Sequence, residues 1–189
     1  MRKTLHILLS FLCVAMLAAC SIGDDDMQAD MYGNGLLQSE ATLHFTGQWK
    51  FYSYSSMSSP SLDKFSKDSE GYFNAETRLL TIKEMPDELF LLMAGIENPS
   101  NVKGTSYAVL CGEKAYTTNS LIYDYGGNED YVFDYEGHTV NAKFRSWEVA
   151  VDNYAHTISI GVEVTAVYID GEKKSTVGGI LLTIAQLQN

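Results

Sequence analysis

The chain has little cysteine, little proline and few basic residues. It contains three Cys, three Pro and 13 Lys plus Arg, against 24 Asp plus Glu. Cys13 and Cys20 lie near the N-terminus, so Cys111 is alone in the rest of the chain and has no partner there for an intramolecular disulfide. The net charge of −11 excludes nucleic acid as an expected partner, because its phosphates would be repelled.

Motifs of common catalytic sites are also missing from the sequence. His44, His138 and His156 do not have the spacing of zinc ligands. There is no Gly-x-Ser-x-Gly elbow and no Walker loop, and no two carboxylates stand out as a glycosidase pair. We therefore expect a non-enzymatic protein without a metal or a cofactor. A hydrolase that uses unrecognised carboxylates is an alternative hypothesis.

The N-terminal residues have the order of a secretory signal peptide. Arg2 and Lys3 precede an apolar stretch, Leu5–Leu17, which is shorter than the about 20 residues that span a bilayer. Small residues then lead to Cys20 in the segment Leu17-Ala18-Ala19-Cys20. This pattern predicts a signal peptide over residues 1–19 and attachment of lipid to the thiol of Cys20. Each acyl methylene buried in a membrane contributes about 0.8 kcal/mol, so several chains anchor a domain firmly.

This segment resembles the lipobox of bacterial lipoproteins, and Asp24-Asp25-Asp26 resembles the export signal of Bacteroidetes surface lipoproteins. The resemblance implies a lipid-anchored protein of the outer membrane, exposed at the cell surface, and it implies no molecular activity. Residues 20–35 are then a flexible tether, rich in Asp, Gly, Asn and Gln. Removal of residues 1–19 leaves 11 basic residues against 24 acidic ones, a net charge of about −13.

The remaining chain, residues 36–189, is predicted to be a single all-β domain. The sequence has 12 Tyr, 8 Phe and 15 Gly, which favour strands and turns. Apolar residues alternate from Glu40 to Tyr54, as on a half-buried antiparallel strand. Similar patterns predict strands over residues 71–73, 78–84, 105–111, 120–125, 131–135, 139–151, 156–169 and 175–185. One short helix is predicted over Glu88–Ala94, ended by Gly95.

We expect the strands to form an antiparallel two-sheet sandwich. Asp170-Gly171 is the strongest hairpin signal, and Ile180, Leu182 and Ile184 alternate on the last strand as an apolar face that packs onto a second sheet. A lipocalin-like barrel is the alternative, because Gly47-Gln48-Trp49 resembles the Gly-x-Trp signature on the first lipocalin strand. A glycine in mid-strand also predicts a bulge or a close backbone approach.

The candidate ligand-binding residues are four tyrosines around an acidic loop, Tyr123, Tyr125, Tyr131 and Tyr135. Facing outward, they would form an aromatic platform that stacks on sugar rings; facing inward, they would belong to the core. The loop oxygens of Asp124, Asn128, Glu129 and Asp130 have the chemistry that calcium prefers, although a solvated hairpin loop explains them equally simply.

The function expected from these features is that of a surface module that binds a glycan or a surface protein, besides the membrane contact through its anchor. A lipocalin-like carrier of a small apolar ligand and a structural or fimbrial component are alternatives from other classes. The lone Cys111 follows the apolar residues Ala108, Val109 and Leu110, so it is interpreted as a core thiol and not as a nucleophile.

Overall fold

Strands form most of the backbone in the computed structural model of the protein. The structure describes residues 42–54, 60–112, 114–116, 120–125, 127–152, 154–175 and 177–188. The side chains of residues 114–116, 120, 121 and 123–125 are not part of this description. The leader, the tether and Cys20 lie outside these residues. The strands are β1 (Thr42–Ser53), β2 (Ser66–Asn74), β3 (Leu79–Ile82), β4 (Tyr107–Leu110), β5 (Lys114–Tyr116), β6 (Ser120–Tyr125), β7 (Glu129–Tyr135), β8 (His138–Asp152), β9 (Thr157–Ile169), β10 (Glu172–Lys173) and β11 (Gly179–Gln188). The helices are α1 (Pro60–Asp63) and α2 (Asp87–Met93). Neither of these two helices is long and apolar enough to cross a membrane.

All strands of this part belong to one antiparallel sheet with the order β4-β3-β2-β1-β11-β9-β8-β6-β5, to which β10 adds at β9 and β7 at β8. Most strands therefore lie next to their neighbours in sequence, and the first strand pairs with the last. The all-β, antiparallel prediction is confirmed. The sheet is nearly closed into a barrel, and the two-sheet sandwich is not confirmed.

Side chains from distant strands meet inside the curved sheet. Tyr107 of β4 stacks on Trp147 of β8, with ring centroids 5.8 Å apart, although five strands lie between β4 and β8 in the sheet order. The hydroxyl of Tyr107 also donates a hydrogen bond to Glu129 of β7. Among the described strands β4 pairs only with β3, and β7 only with β8. The curved sheet is therefore joined between β4 and β7 by side chains instead of backbone pairing.

The helix α2 covers part of the aromatic core. Its ring at Phe90 lies 5.7 Å from Tyr131 and 5.8 Å from Phe144, measured between ring centroids. The helix ends as predicted at Gly95, whose φ of +87° favours glycine. The N–H of Ile96 then donates to the carbonyl of Leu91, which is the Schellman arrangement of a helix C-terminus.

The strands β1 and β11 approach each other closely at Gly47, as a glycine in mid-strand predicted. A Cβ atom at position 47 would lie 2.7 Å from the Cβ of Ala185, closer than two such atoms can pack. Pairing between the strands is interrupted here, between Thr46 opposite Gln186 and Trp49 opposite Thr183. The inward face of β11 therefore carries small residues at this point.

The inward direction of β11 contradicts the prediction from its sequence pattern. Thr183 and Ala185 are buried, whereas Ile180 is 40% and Ile184 is 63% exposed. The apolar row of Ile180, Leu182 and Ile184 thus faces outward, and the intervening Leu181, Thr183 and Ala185 are buried. The close approach to Gly47 allows only a small side chain at position 185. Alternation showed the two faces of the strand correctly but assigned the core to the wrong one.

The observed strands differ from the predicted ones in three further places. The segment between the predicted strands that end at Tyr54 and begin at Gly71 contains α1 and the start of β2, which pairs along β1 as far as Ser66 opposite Lys50. The short strands β5 and β10 were not predicted. The turn at Asp170-Gly171 is confirmed by φ values of 50° and 82°, yet it leads into β10, and β11 joins β9 only from Gly179 onward.

Candidate functional site

The outward face of β2, β1 and β11 carries a depression of about 680 Å³, here called the β1–β11 depression. This volume lies within the about 300–1,000 Å³ that is usual for ligand sites. The depression lies over the interruption between β1 and β11. Its lining residues are Thr46, Gly47, Gln48, Lys50, Tyr52, Asp68, Ser69, Glu70, Leu182, Ile184 and Gln186.

Hydrogen bonds fix the polar wall of the β1–β11 depression. The amide nitrogen of Gln48 donates to Asp68 Oδ1 at 3.2 Å, and its oxygen accepts from Ser66 Oγ at 3.2 Å. The carboxylate of Glu70 forms an ion pair with Lys83. A preset amide and two carboxylates are suited to bind hydroxyl groups of a ligand, because each retains further accepting positions.

The opposite wall of the β1–β11 depression is apolar and aromatic. Tyr52 is 53% exposed and lies opposite Ile180 of β11, while Lys50 lies opposite Leu182. Ile180, Leu182 and Ile184 of β11 form one apolar row, which Tyr52 extends at the end of β1. Exposed apolar residues that are clustered in a row and bordered by polar ones are typical of binding surfaces.

A charged cluster borders the end of this row. Arg145 of β8 holds Glu163 of β9 with two nitrogens, one of them Nε at 2.6 Å from Oε2. The adjacent Tyr54 is 56% exposed. Partial burial is the main cause that raises the pKa of Tyr54 to about 12, and a hydrogen bond to Glu163 is the second cause. The hydroxyl of Tyr54 is therefore protonated at neutral pH. Lys50 forms no ion pair with any described residue, so one cation of the depression is available to a ligand.

The structure does not bring the predicted tyrosines together as one exposed platform. Tyr131 is 2% exposed and belongs to the core, which was the alternative for this residue. It faces inward because its ring packs between Phe90, Phe133 and Phe144. Tyr135 is half-buried, and the backbone of Tyr123 and Tyr125 pairs with Val149 and Trp147 of β8, but their side chains lie outside the described part of the chain.

A second, smaller pocket of about 210 Å³ lies next to Tyr135. Tyr135 lines this pocket together with Asp87 of α2 and Lys103 of the following loop. Asp87 is itself 2% exposed, and Tyr131 donates a hydrogen bond to it. Because the volume is below the usual range of ligand sites, we place the candidate site in the β1–β11 depression.

Two acidic residues of the predicted calcium loop, Glu129 and Asp130, have protein partners, whereas the side chain of Asp124 lies outside the described part of the chain. Glu129 accepts the hydrogen bond from Tyr107, and Asp130 pairs with Lys143 and accepts from Asn141 at 3.3 Å. The bond to Lys143 lowers the pKa of Asp130 from its ordinary value. Across the residues that the structure describes, no three His, Cys, Asp or Glu side chains are grouped as metal ligands.

The residues of the β1–β11 depression were not selected from the sequence, although a signal was there. The exposed polar face of β1 consists of the alternating residues Thr46, Gln48, Lys50 and Tyr52.

No protein family, no curated protein and no solved structure matches this chain. The proposal for its function therefore depends on its own residues.

Proposed function

We propose that the protein is a non-enzymatic, lipid-anchored lipoprotein of the outer-membrane surface, of the Bacteroidetes type, and that its β domain binds a glycan in the β1–β11 depression. The observation that carries the binding function is a ligand-sized outward depression in which polar, aromatic and apolar side chains converge. The sequence supports the anchor through the leader and Cys20.

The chemistry of the depression fits the two kinds of surface on a sugar ring. The ring of Tyr52 and the side chain of Ile184 offer apolar contact to the C–H face of a sugar. The amide of Gln48 donates or accepts hydrogen bonds with the sugar hydroxyls, and the carboxylate of Asp68 accepts them. Tyr52 and Gln48 lie on the same outward face of β1, so both reach one ligand. The anchor confines this surface to ligands near the membrane.

Binding is tested with the lipid-free chain starting at Ser21 on a glycan array, followed by titration calorimetry with the best glycan. Tyr52→Ala is expected to weaken binding at least tenfold, because it removes the stacking surface. The matched control is Tyr154→Ala, since Tyr154 is 65% exposed but does not line the depression. Equal affinities of both variants would exclude the proposed site, and binding of a surface protein without any glycan would identify the other partner class.

The anchor is tested in cells by metabolic labelling with radioactive palmitate. The full chain is expected to incorporate label and to sediment with membranes, whereas Cys20→Ala is expected to lose both properties. Digestion of intact cells with a protease then distinguishes the outward face from the inward one. A labelled protein that resists digestion until the cells are lysed would contradict the cell-surface location.

The order of the strands favours a lipocalin-like carrier as a second candidate function. Most sequential strands are neighbours and β1 pairs with β11, as in an up-and-down barrel. The interior, however, contains large buried side chains, among them Trp49, Phe90, Tyr131 and Trp147. Saturable binding of an apolar fluorescent fatty acid that quenches the tryptophans would support the carrier, and its absence would favour the surface site.

A further inference from the structure

Five buried side-chain polar atoms have no hydrogen-bond partner within the described residues. Two of them, Oδ1 of Asn141 and Nε1 of Trp147, belong to β8. The other three belong to the neighbouring strands β1, β2 and β11 and are Nε1 of Trp49, Oγ of Ser69 and Oγ1 of Thr183. The three residues are 0%, 2% and 1% exposed. Nearly all buried polar side-chain atoms in proteins have a partner, because an unpartnered one loses its hydration without compensation.

The three residues lie on adjacent strands around Gly47. Thr183 of β11 is opposite Trp49 of β1, and Ser69 of β2 is opposite Gly47. Opposite residues of antiparallel strands have Cβ atoms about 4.5–5.5 Å apart. A Cβ atom at Gly47 would lie 2.9 Å from Thr183 Oγ1, so this hydroxyl is directed at the glycine. The two hydroxyls therefore flank Gly47 from its two neighbouring strands.

This group of polar atoms lies beneath the β1–β11 depression. Gly47 and Ser69 line the depression, although both occupy inward positions of their strands. Backbone pairing of β1 with β11 is interrupted at Gly47 and Gln48, which is where the depression reaches the sheet. From His44 to Ser53, β1 pairs with β11 except at Gly47 and Gln48. The polar atoms lie next to these two unpaired residues.

We propose that Trp49, Ser69 and Thr183 form an inner polar subsite, at the floor of the β1–β11 depression, that binds one hydroxyl-bearing group. An indole N–H only donates, whereas each hydroxyl donates and accepts. An oxygen at this position accepts from Trp49 and Thr183 and donates to Ser69, which gives it the two to four partners that a buried water needs. The bound oxygen belongs either to a water molecule or to a hydroxyl of the glycan. Binding of a glycan hydroxyl rests on the proposed function.

The experiment compares urea unfolding midpoints of the ligand-free chain for Ser69→Ala and Thr183→Val. Both variants remove a hydroxyl while preserving most of the volume. If the subsite holds water, each midpoint falls by about 0.5 M, as for any satisfied buried hydroxyl. Ser175→Ala is the reference for such a loss, because the buried Ser175 hydroxyl donates to the carbonyl of Val177 at 2.8 Å. Circular dichroism of each variant verifies that it is folded.

Glycan titration of the same variants identifies the source of the hydroxyl. A lower midpoint with unchanged glycan affinity indicates water, and an unchanged midpoint with about tenfold weaker glycan binding indicates a hydroxyl of the ligand. Midpoints that stay the same or rise, together with unchanged affinity, would overturn the subsite. Tyr52→Ala tests the depression separately, so the subsite can hold water even where the glycan proposal fails.

Discussion

The hydroxyl of Tyr131 donates a 2.5 Å hydrogen bond to Oδ1 of Asp87, which joins β7 to the first turn of α2. Thr105 Oγ1 donates to the other carboxylate oxygen at 3.2 Å. Asp87 is 2% exposed, and burial raises its pKa to about 6, against the opposing effect of these hydrogen bonds. Since Thr105 lies two residues before the start of β4, one carboxyl links elements on both sides of the unpaired β4–β7 junction.

Asp87 is expected to make the protein more stable in mild acid than at neutral pH. Its pKa is higher in the folded state than the ordinary value of 3.8, so the folded state binds the proton more tightly. The associated stability is fully present below about pH 4 and is lost as the pH rises through about 6. A difference of about two pKa units corresponds to about 3 kcal/mol. Urea unfolding at pH 4, 5, 6 and 7.5 measures this decrease, of which about half falls between pH 5 and 7.5.

The variant Asp87→Asn is expected to flatten this part of the pH profile, because an amide does not ionise. Asp134→Asn is the matched control, since Asp134 lines the same small pocket but is exposed. Its profile should follow that of the unaltered chain. A decrease of stability between pH 5 and 7.5 that persists in Asp87→Asn would assign the effect to another group.

Tyr131→Phe is expected to destabilise the protein more at neutral pH than in acid. The substitution keeps the ring in its aromatic surroundings but leaves Asp87 Oδ1 without its donor. The loss is about 1.5–3 kcal/mol where Asp87 is ionised and about 1 kcal/mol where it is protonated. Denaturant unfolding at pH 5 and 7.5 gives both values, and an equal loss at the two pH values would show that only packing was affected.

Gly47→Ala is expected to destabilise the protein by about 1–3 kcal/mol, because its Cβ would lie 2.7 Å from that of Ala185. Gly161→Ala in β9 is the matched control, since the nearest atom to its Cβ is Leu182 Cδ1 at 3.9 Å. That variant should retain or slightly gain stability. Thermal unfolding compares the two, and a neutral Gly47→Ala would contradict the close approach of β1 and β11.

Cys111 is expected to be unreactive in the folded protein. The side chain is 2% exposed, and burial raises the pKa of its thiol to about 12. At pH 8 the thiolate fraction is about three orders of magnitude below that of a free cysteine. The chain starting at Ser21 contains this one cysteine, so a chromogenic disulfide reagent should react only after denaturant is added. Rapid reaction of the native protein would show that the thiol is accessible.

Local features of the fold could be predicted from the sequence. Gly95 follows the C-cap of α2, and Asp170-Gly171 forms a turn with positive φ, because these conformations depend on a few adjacent residues. The bounds of β6 and the course of β1, β8 and β9 follow from alternation for the same reason. The start of β2 within a serine-rich segment was missed, since its pairing is imposed by β1.

Alternation marked the exposed face of β1 that lines the candidate site, but nothing in the local pattern marked that face as a binding surface. Tyr131 was a candidate ligand-binding residue with the core as its alternative. It lies in the core, where its ring contacts Phe90 and its hydroxyl donates to Asp87 of α2. Conversely, Ile184 was assigned to the core and lies outside. Both cases depend on which face of a strand is covered by the rest of the protein, and alternation alone does not determine this.

The sequence by itself determined the all-β class, most strand positions, the principal turns and the expectation of a lipid-anchored leader, because alternation, turn chemistry and the lipobox are each read within a short window. Only the tertiary structure decided that the strands form one nearly closed sheet, that Gly47 draws β11 close with its small residues inward, and that an apolar row with Tyr52 faces solvent. The physical reason is that packing joins residues far apart in the chain, so the size limit at Gly47 acts on Thr183 and Ala185 without any sign in their own neighbourhood.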